Sequence, residues 1–285
     1  MGKVFISFGH GYSARALAQR LLPRGWTIYG TTRTPEKLAA LEAEGVIPVL
    51  WPDGDLSEAF RNATHILSSV GPDGGEGDPV LARFAEEIAD LAPRLEWAGY
   101  LSTTGVYGDH GGGWVDETTL LDPSTRRGRL RKAAEEQWQS VPGLPLHIFR
   151  LAGIYGPGRG PFEKVRQGKA RRIVKKGQLF SRVHVDDIAQ VLAASIDRPD
   201  PGAVYNVCDD APAPPQDVIG YAAELLGCPL PPEIPFEVAE MSPMARSFYA
   251  ESKRVSNRRI REELGVELIY PDYRAGLRAL LDAGG

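Results

Sequence analysis

Short apolar runs alternate with helical periodicity through the first 150 residues. Val4–Phe8 is a nearly continuous apolar run that ends in glycine, as a strand buried on both faces would. Ala14, Leu17, Ala18, Leu21 and Leu22 then recur at helical spacing until Pro23-Arg24-Gly25 stops them. A second strand is expected at Trp26–Gly30. Thr34-Pro35-Glu36 should open a helix, with the Thr34 hydroxyl as cap and proline at the first helical position. Strands follow at 46–50, 65–70, from 100 and at 146–151, with helices at 56–60, 79–91 and 125–140 between them. Such alternation implies βαβ units: an α/β, Rossmann-type doubly wound parallel sheet with helices on both faces.

Beyond residue 150 the texture changes. Glycine and proline cluster at 153–161, 211–215 and 229–235, while helical patterns persist at 186–196, 216–226, 253–264 and 273–281. The expected organisation is a dinucleotide-binding domain over 1–152. A smaller C-terminal substrate lobe over 153–285 returns its chain to the first.

Between the first strand and first helix stands Gly9-His10-Gly11-Tyr12-Ser13-Ala14, a G-x-G-x-x-G/A loop. The first glycine allows the tight turn and the second lets backbone approach a pyrophosphate. The small Ala14 lets helix and strand pack closely, with Tyr12 and Ser13 opening the helix whose N-terminus faces the phosphates. The second strand ends Gly30-Thr31-Thr32-Arg33, with no acid until Glu36 to bind the 2′-hydroxyl of NAD. Arg33, helped by Thr32, is suited to a 2′-phosphate, so NADP is expected ahead of NAD. Ser68 and Ser69, closing the fourth strand, complete the expected cofactor wall.

Composition narrows the alternatives. The 285 residues are 42% hydrophobic and 25% charged, with a net charge of −4, so neither a disordered chain nor a dedicated nucleic-acid binder is expected. The 32 glycines and 23 prolines place many tight turns, including glycine-rich loops at 71–77, 105–113 and 153–160, after the strands that bind ligands in such a sheet. Cys208 and Cys228 form no C-x-x-C pair, and the five histidines are scattered, so no metal site is expected. Without a signal sequence or an apolar run long enough to span a bilayer, the reading is a cytoplasmic protein with no membrane partner. One charge run stands out. Lys164, Arg166, Lys169, Arg171, Arg172, Lys175 and Lys176 fall within thirteen residues, either a solvated face or a wall for an anionic small molecule.

Several segments resemble the extended short-chain dehydrogenase/reductase superfamily, of the NAD-dependent epimerase/dehydratase kind, as an atypical member. They are Ser102-Thr103-Thr104-Gly105-Val106-Tyr107-Gly108, Arg150-Leu151-Ala152-Gly153-Ile154-Tyr155-Gly156-Pro157-Gly158, Val183-His184-Val185-Asp186-Asp187-Ile188-Ala189 and Val204-Tyr205-Asn206-Val207. The resemblance implies a reductase, epimerase or dehydratase with an anionic, nucleotide-sugar-like substrate, and a homodimer. Thr103 would orient the substrate oxygen, with Thr104, Tyr155 and Arg182 at the substrate. Lys132 matches the family's lysine, a catalytic and cofactor-ribose ligand. The tyrosine position four residues earlier then falls on Gly128, and no tyrosine occurs between 108 and 154. Tyr107 and Tyr155 become candidate acids, unless they simply pack. His184 and Asp187 are expected to pack and hydrogen-bond, and Asn206 to fix a turn. The rival to an enzyme is a non-catalytic NADP-binding redox sensor or regulatory protein.

Overall fold

The computed structural model describes residues 2–72, 74 and 77–284. The glycine loop expected at 71–77 therefore lies partly outside the described residues, at positions 73, 75 and 76. In chain order the strands of the first half are β1 (Val4–Phe8), β2 (Thr27–Thr32), β3 (Ile47–Leu50), β4 (His65–Ser68), β5 (Trp97–Thr103), β6 (Trp114–Val115) and β7 (Leu146–Leu151). They are interleaved with helices α1 (Tyr12–Leu21), α2 (Leu38–Ala43), α3 (Ser57–Asn62), α4 (Pro79–Leu91) and α5 (Arg126–Gln139). The second half adds strands β8 (Gly153–Tyr155), β9 (Arg172–Val174), β10 (Arg182–His184), β11 (Val204–Val207), β12 (Glu233–Pro235) and β13 (Arg254–Val255). Its helices are α6 (Phe162–Arg166), α7 (Val185–Asp197), α8 (Pro215–Leu225), α9 (Pro243–Phe248), α10 (Arg258–Glu262) and α11 (Tyr273–Asp282).

Seven strands form one parallel sheet in the order β11-β7-β5-β4-β1-β2-β3. The chain winds outward from β1 through β2 to β3, then returns to the other side of β1 with β4. The crevice outside the carboxyl ends of β1 and β4 is thus the switch point where a doubly wound sheet takes a ligand. Alternate residues of each strand feed opposite layers. Phe5 packs with α1, α2 and α7, while Ile6 and Phe8 pack with α3, α4 and α5. The α/β doubly wound architecture expected from the sequence is present. Late in the chain, β11 joins the central sheet beside β7 and α7 packs against α1. A third apolar cluster, with Tyr155, Phe162, Val165, Ala222 and Leu277, holds α6, α8 and α11 together as the smaller lobe.

Local differences have local causes. Thr34 does precede helical turns, but its side chain makes no cap. Those turns are 3-10 over Pro35–Lys37 before α2 begins. The helix expected at 253–264 is reduced to α10, because Arg254 and Val255 pair with Trp114 and Val115 instead. Asn206 lies within β11, not in a turn, and its Oδ1 accepts from the Tyr107 hydroxyl at 2.7 Å. Asp187 does hydrogen-bond as expected, its carboxylate accepting from Ile269 and Tyr270 N–H at 2.7 and 3.1 Å. Both cysteines are free, with Cys208 buried. Among the described residues no group of three or more His, Cys, Asp or Glu could hold a metal ion, and no helix is long and apolar enough to cross a membrane.

Candidate dinucleotide and active site

The loop after β1 is held open by its neighbours. Gly9 has φ +71°, and a β-carbon there would lie 2.9 Å from Val70 Cγ2, so only glycine suits the position. Gly9 N–H donates to Thr31 Oγ1 and His10 N–H to the Thr31 carbonyl, each at 2.8 Å, which pins the loop to β2. Ser69 Oγ lies 2.5 Å from the Gly9 carbonyl oxygen and 3.1 Å from that of Phe8, tying β4 to β1 across the switch point. Gly11 caps α1 without a side-chain bond, and no acid occurs in the first turn. The α1 N-terminus therefore keeps free N–H groups and a positive dipole end for an anion. Ser13 and Ala14 are buried, and Ala14 packs into the core beneath the helix. Ser68 Oγ is fully enclosed and has no partner, so it is not presented to the crevice.

At the end of β2, Thr32 Oγ1 accepts from Thr34 N–H at 3.2 Å, while the exposed Arg33 makes no ion pair among the described residues. Behind the loop, His10 is 6% exposed and neither ring nitrogen has a partner; Gly30, lacking a side chain, makes room for the ring. Burial holds this imidazole down, to about 4, against an opposing pull from Glu44. The sign follows. Between pH 6.5 and about 4 the unfolded chain binds a proton that the folded one refuses, so His10 lowers stability as pH falls through that window. His10→Leu should accordingly gain on the parent, by up to about 1.4 kcal/mol per pH unit, over that range in denaturant titrations. Parallel pH curves for the two proteins would exclude this role.

Tyr12 joins the lobes. Its hydroxyl donates to the Pro157 carbonyl at 3.0 Å, and the Arg159 guanidinium lies 5.8 Å from its ring centroid. On the far side of the crevice, Thr103 Oγ1 accepts from Gly105 N–H at 3.2 Å and caps the helical turn that carries the half-exposed Thr104.

The expected acids are not presented to the cleft. Tyr107 is 0% exposed; its hydroxyl donates to Asn206 and accepts from Arg150 Nη1 at 3.0 Å, and burial pushes it up to about 12. Tyr155 is buried against Gly276, whose missing side chain makes its place, with its hydroxyl 3.4 Å from the Asp272 carbonyl. Burial raises this phenol too. Both tyrosines pack, each held by residues far along the chain: Tyr107 by Asn206 and Arg150, Tyr155 in the space left by Gly276.

Two further expectations change. Lys132 Nζ donates to the Leu121 carbonyl at 3.2 Å, in a groove shared with Asp122, Arg129 and Glu136. Its ammonium goes there because Arg131, Ala134 and Glu135 already occupy the sheet-facing side of α5. A β-carbon on Gly128 would stand 2.7 Å from both the Gly105 carbonyl oxygen and Pro123 Cβ, so this glycine is a helix-to-loop contact. From the sequence, Arg129 and Arg131 are possible oxyanion stabilisers that are poor proton donors; the structure sets Arg131 apart as the buried one of the two. It is 9% exposed, and its Nη1 reaches the carbonyls of Leu101 (2.9 Å) and Val70 (3.3 Å) and the Tyr100 hydroxyl (3.0 Å). The available signal was its spacing of four from Glu135, which shares the buried face.

In the smaller lobe Arg182 is half-buried, with Nη1 donating to the carbonyls of Phe180 and Ala213 at 2.9 and 3.1 Å. Asp209 is nearby, and burial lifts its carboxyl to about 8 against the pull of Arg182. The basic run divides. Arg172 pairs with Glu233, and Lys175 donates to the Tyr249 carbonyl and lies over Phe236, whereas Lys164, Lys169, Arg171 and Lys176 are exposed.

No family model matches the chain. It is 32% identical over 284 residues to Protein YeeZ of Escherichia coli K12, spanning 95% of this chain and 97% of that one. The chain belongs to the YeeZ family. Its solved structural neighbours are epimerase/dehydratase-like proteins of the extended short-chain dehydrogenase/reductase kind. A solved conserved protein from Silicibacter pomeroyi is 62% identical, with a TM-score of 0.94 over 99% of this chain and 100% of that chain. The human epimerase family protein SDR39U1, solved with NADPH, shares the fold of this YeeZ-family chain at a TM-score of 0.75 and 18% identity, over 98% and 99% of the two chains.

Proposed function

We propose that this YeeZ-family chain is an NADP-dependent oxidoreductase, epimerase or dehydratase acting on an anionic, nucleotide-sugar-like small molecule. The observation that carries the reading is the uncapped α1 N-terminus behind Gly9 at the β1/β4 switch point, with Arg33 and no acid at the end of β2. The residues present fit a dinucleotide. Gly9 and Gly11 leave backbone clear for a pyrophosphate, Ser69 braces the loop, and Arg33 with Thr32 faces the adenosine side, where a 2′-phosphate would stand. Bound, the cofactor would supply or store hydride. The protein's own part is to bind and orient. Thr103 stands at the end of β5 to direct a substrate oxygen, and Arg182 offers a guanidinium to the substrate's negative charge.

The exposed cations of the 164–176 run favour an anionic substrate. A non-catalytic NADP sensor is the second reading. It draws on the enclosure of Tyr107 and Tyr155, which leaves no phenol facing the crevice among these candidates.

The cofactor assignment has a direct test. A lost charge-assisted contact is worth about 1.5–3 kcal/mol, so Arg33→Ala should weaken NADPH roughly 10- to 100-fold and leave NADH nearly unchanged, measured by fluorescence titration. An unaltered NADPH/NADH affinity ratio would sink the NADP preference. Turnover of sugar nucleotides or small anionic carbonyl compounds with bound NADPH separates the enzyme from the sensor.

A further inference from the structure

The sheet order fixes the direction in which a dinucleotide must run. Its pyrophosphate belongs over β1, where Gly9 and the α1 N-terminus stand, and its adenosine over β2, whose end carries Thr32 and Arg33. The other half must then extend the opposite way, over the carboxyl ends of β4 and β5, one to two strand spacings of about 4.8 Å away. A guanidinium waits there. Arg131, from the middle of α5, places Nη1 between the Leu101 carbonyl at the end of β5 and the Val70 carbonyl just beyond β4. The Tyr100 hydroxyl is its third partner, and the ring of Tyr100 lies under the guanidinium, 5.5 Å from centroid to Cζ. Three fixed partners give a long side chain one orientation, and orienting it in advance removes much of the entropy lost on binding. Nε is enclosed without a partner, and Gly71 has no side chain to cover Nη2; a β-carbon there would be 3.2 Å from that atom.

We propose that Arg131 is the residue that holds the ribose hydroxyls on the nicotinamide side of the cofactor. Lys132 Nζ instead donates to the Leu121 carbonyl, in the groove lined by Asp122, Arg129 and Glu136. The register of α5 agrees: Arg127 stands four residues before Arg131, so the two lie one above the other, while Gly128 presses on Gly105. A guanidinium donates hydrogen bonds to a diol but gives up no proton near neutral pH. Arg131 thus orients the cofactor and takes no part in proton transfer.

The inference rests on the NADP reading above, and one set of titrations separates the two. The ligands are NADPH and 2′,5′-ADP, a fragment with the adenosine end alone, offered to the unaltered protein and to Arg131→Met, Arg131→Lys and Lys132→Met. Arg131→Met should weaken NADPH tenfold or more and change 2′,5′-ADP less than twofold. Arg131→Lys should fall between, and Lys132→Met should match the unaltered protein for both. Equal losses for the two ligands in the Arg131 variants would mean that the residue acts through the fold, and overturn the proposal. So would an unchanged NADPH affinity, or a Lys132→Met loss confined to NADPH. Should Arg131→Met not fold, the ratio in Arg131→Lys decides in the same way. If the unaltered protein binds 2′,5′-ADP but Arg131 fails these criteria, the cofactor reading survives and this inference does not. Binding of neither ligand to the unaltered protein ends both.

Discussion

Glu135→Leu should cost about 3–5 kcal/mol, enough to unfold the protein at moderate temperature, because it strands a buried cation. Glu135 is 1% exposed and Arg150 5%; the guanidinium donates to the carboxylate through Nη2 at 2.8 Å and Nε at 3.2 and 3.3 Å. Ser102 Oγ also donates to Glu135, and Arg150 passes the network on through Nη1 to the Tyr107 hydroxyl and thence to Asn206. The chain of bonds thus ties α5 to β5, β7 and β11 beneath the crevice. With the carboxylate gone, Arg150 keeps its charge in the core with, among the described residues, only Tyr107 left to accept from it. The double variant Glu135→Leu/Arg150→Met should recover much of the loss, since a matched apolar pair bears no desolvation penalty. Midpoints of urea unfolding for the two single variants and the double variant measure the coupling. A double variant no more stable than Glu135→Leu would refute the stranded-charge explanation and point to shape alone.

That network also explains what the sequence could and could not show. The sheet was legible because its signal is local: apolar runs of four to seven residues, each followed by a helical period, and a glycine loop in the one context that gives it meaning. The loop's partners were less so. Thr31 and Ser69 matter because β2 and β4 flank β1, a fact of strand order that spacing along the chain does not carry. Tyr107 and Tyr155 looked available as acids because each follows a strand end, where doubly wound proteins keep their chemistry. Their burial depends on Asn206 and Gly276, which lie 99 and 121 residues further on. The α5 register failed for another reason. Gly128, Arg131, Lys132 and Glu135 are all spaced for one side of a helix, and only tertiary contacts decide which of them meets the sheet. A run of arginines and lysines without apolar landmarks has a weak periodic signal, so an assignment there can slip by one residue unnoticed.

Positions 127 and 128 should differ in their tolerance of a larger side chain. Glycine inside a helix ordinarily costs about 0.5–1 kcal/mol against alanine, so Gly128→Ala would stabilise an unobstructed helix. Here the added methyl stands 2.7 Å from the Gly105 carbonyl oxygen and from Pro123 Cβ, and one of those contacts is backbone that cannot rotate away. Overpacking of this kind costs roughly 1–3 kcal/mol, so the net change should be a loss. Gly128→Tyr should lose more, with α5 levered off the turn at 104–107 and the crevice distorted. Arg127→Tyr, one residue earlier, replaces an exposed side chain whose guanidinium lies 6.0 Å from the Phe248 ring, and should stay within about 0.5 kcal/mol of the parent. Thermal melts of the three variants rank them. A Gly128→Tyr protein as stable as Arg127→Tyr would show that α5 is free to shift and that the glycine is no packing requirement. The expected order instead makes Gly128 a contact between α5 and the turn after β5, and makes position 127 one where a tyrosine can be added without moving the backbone.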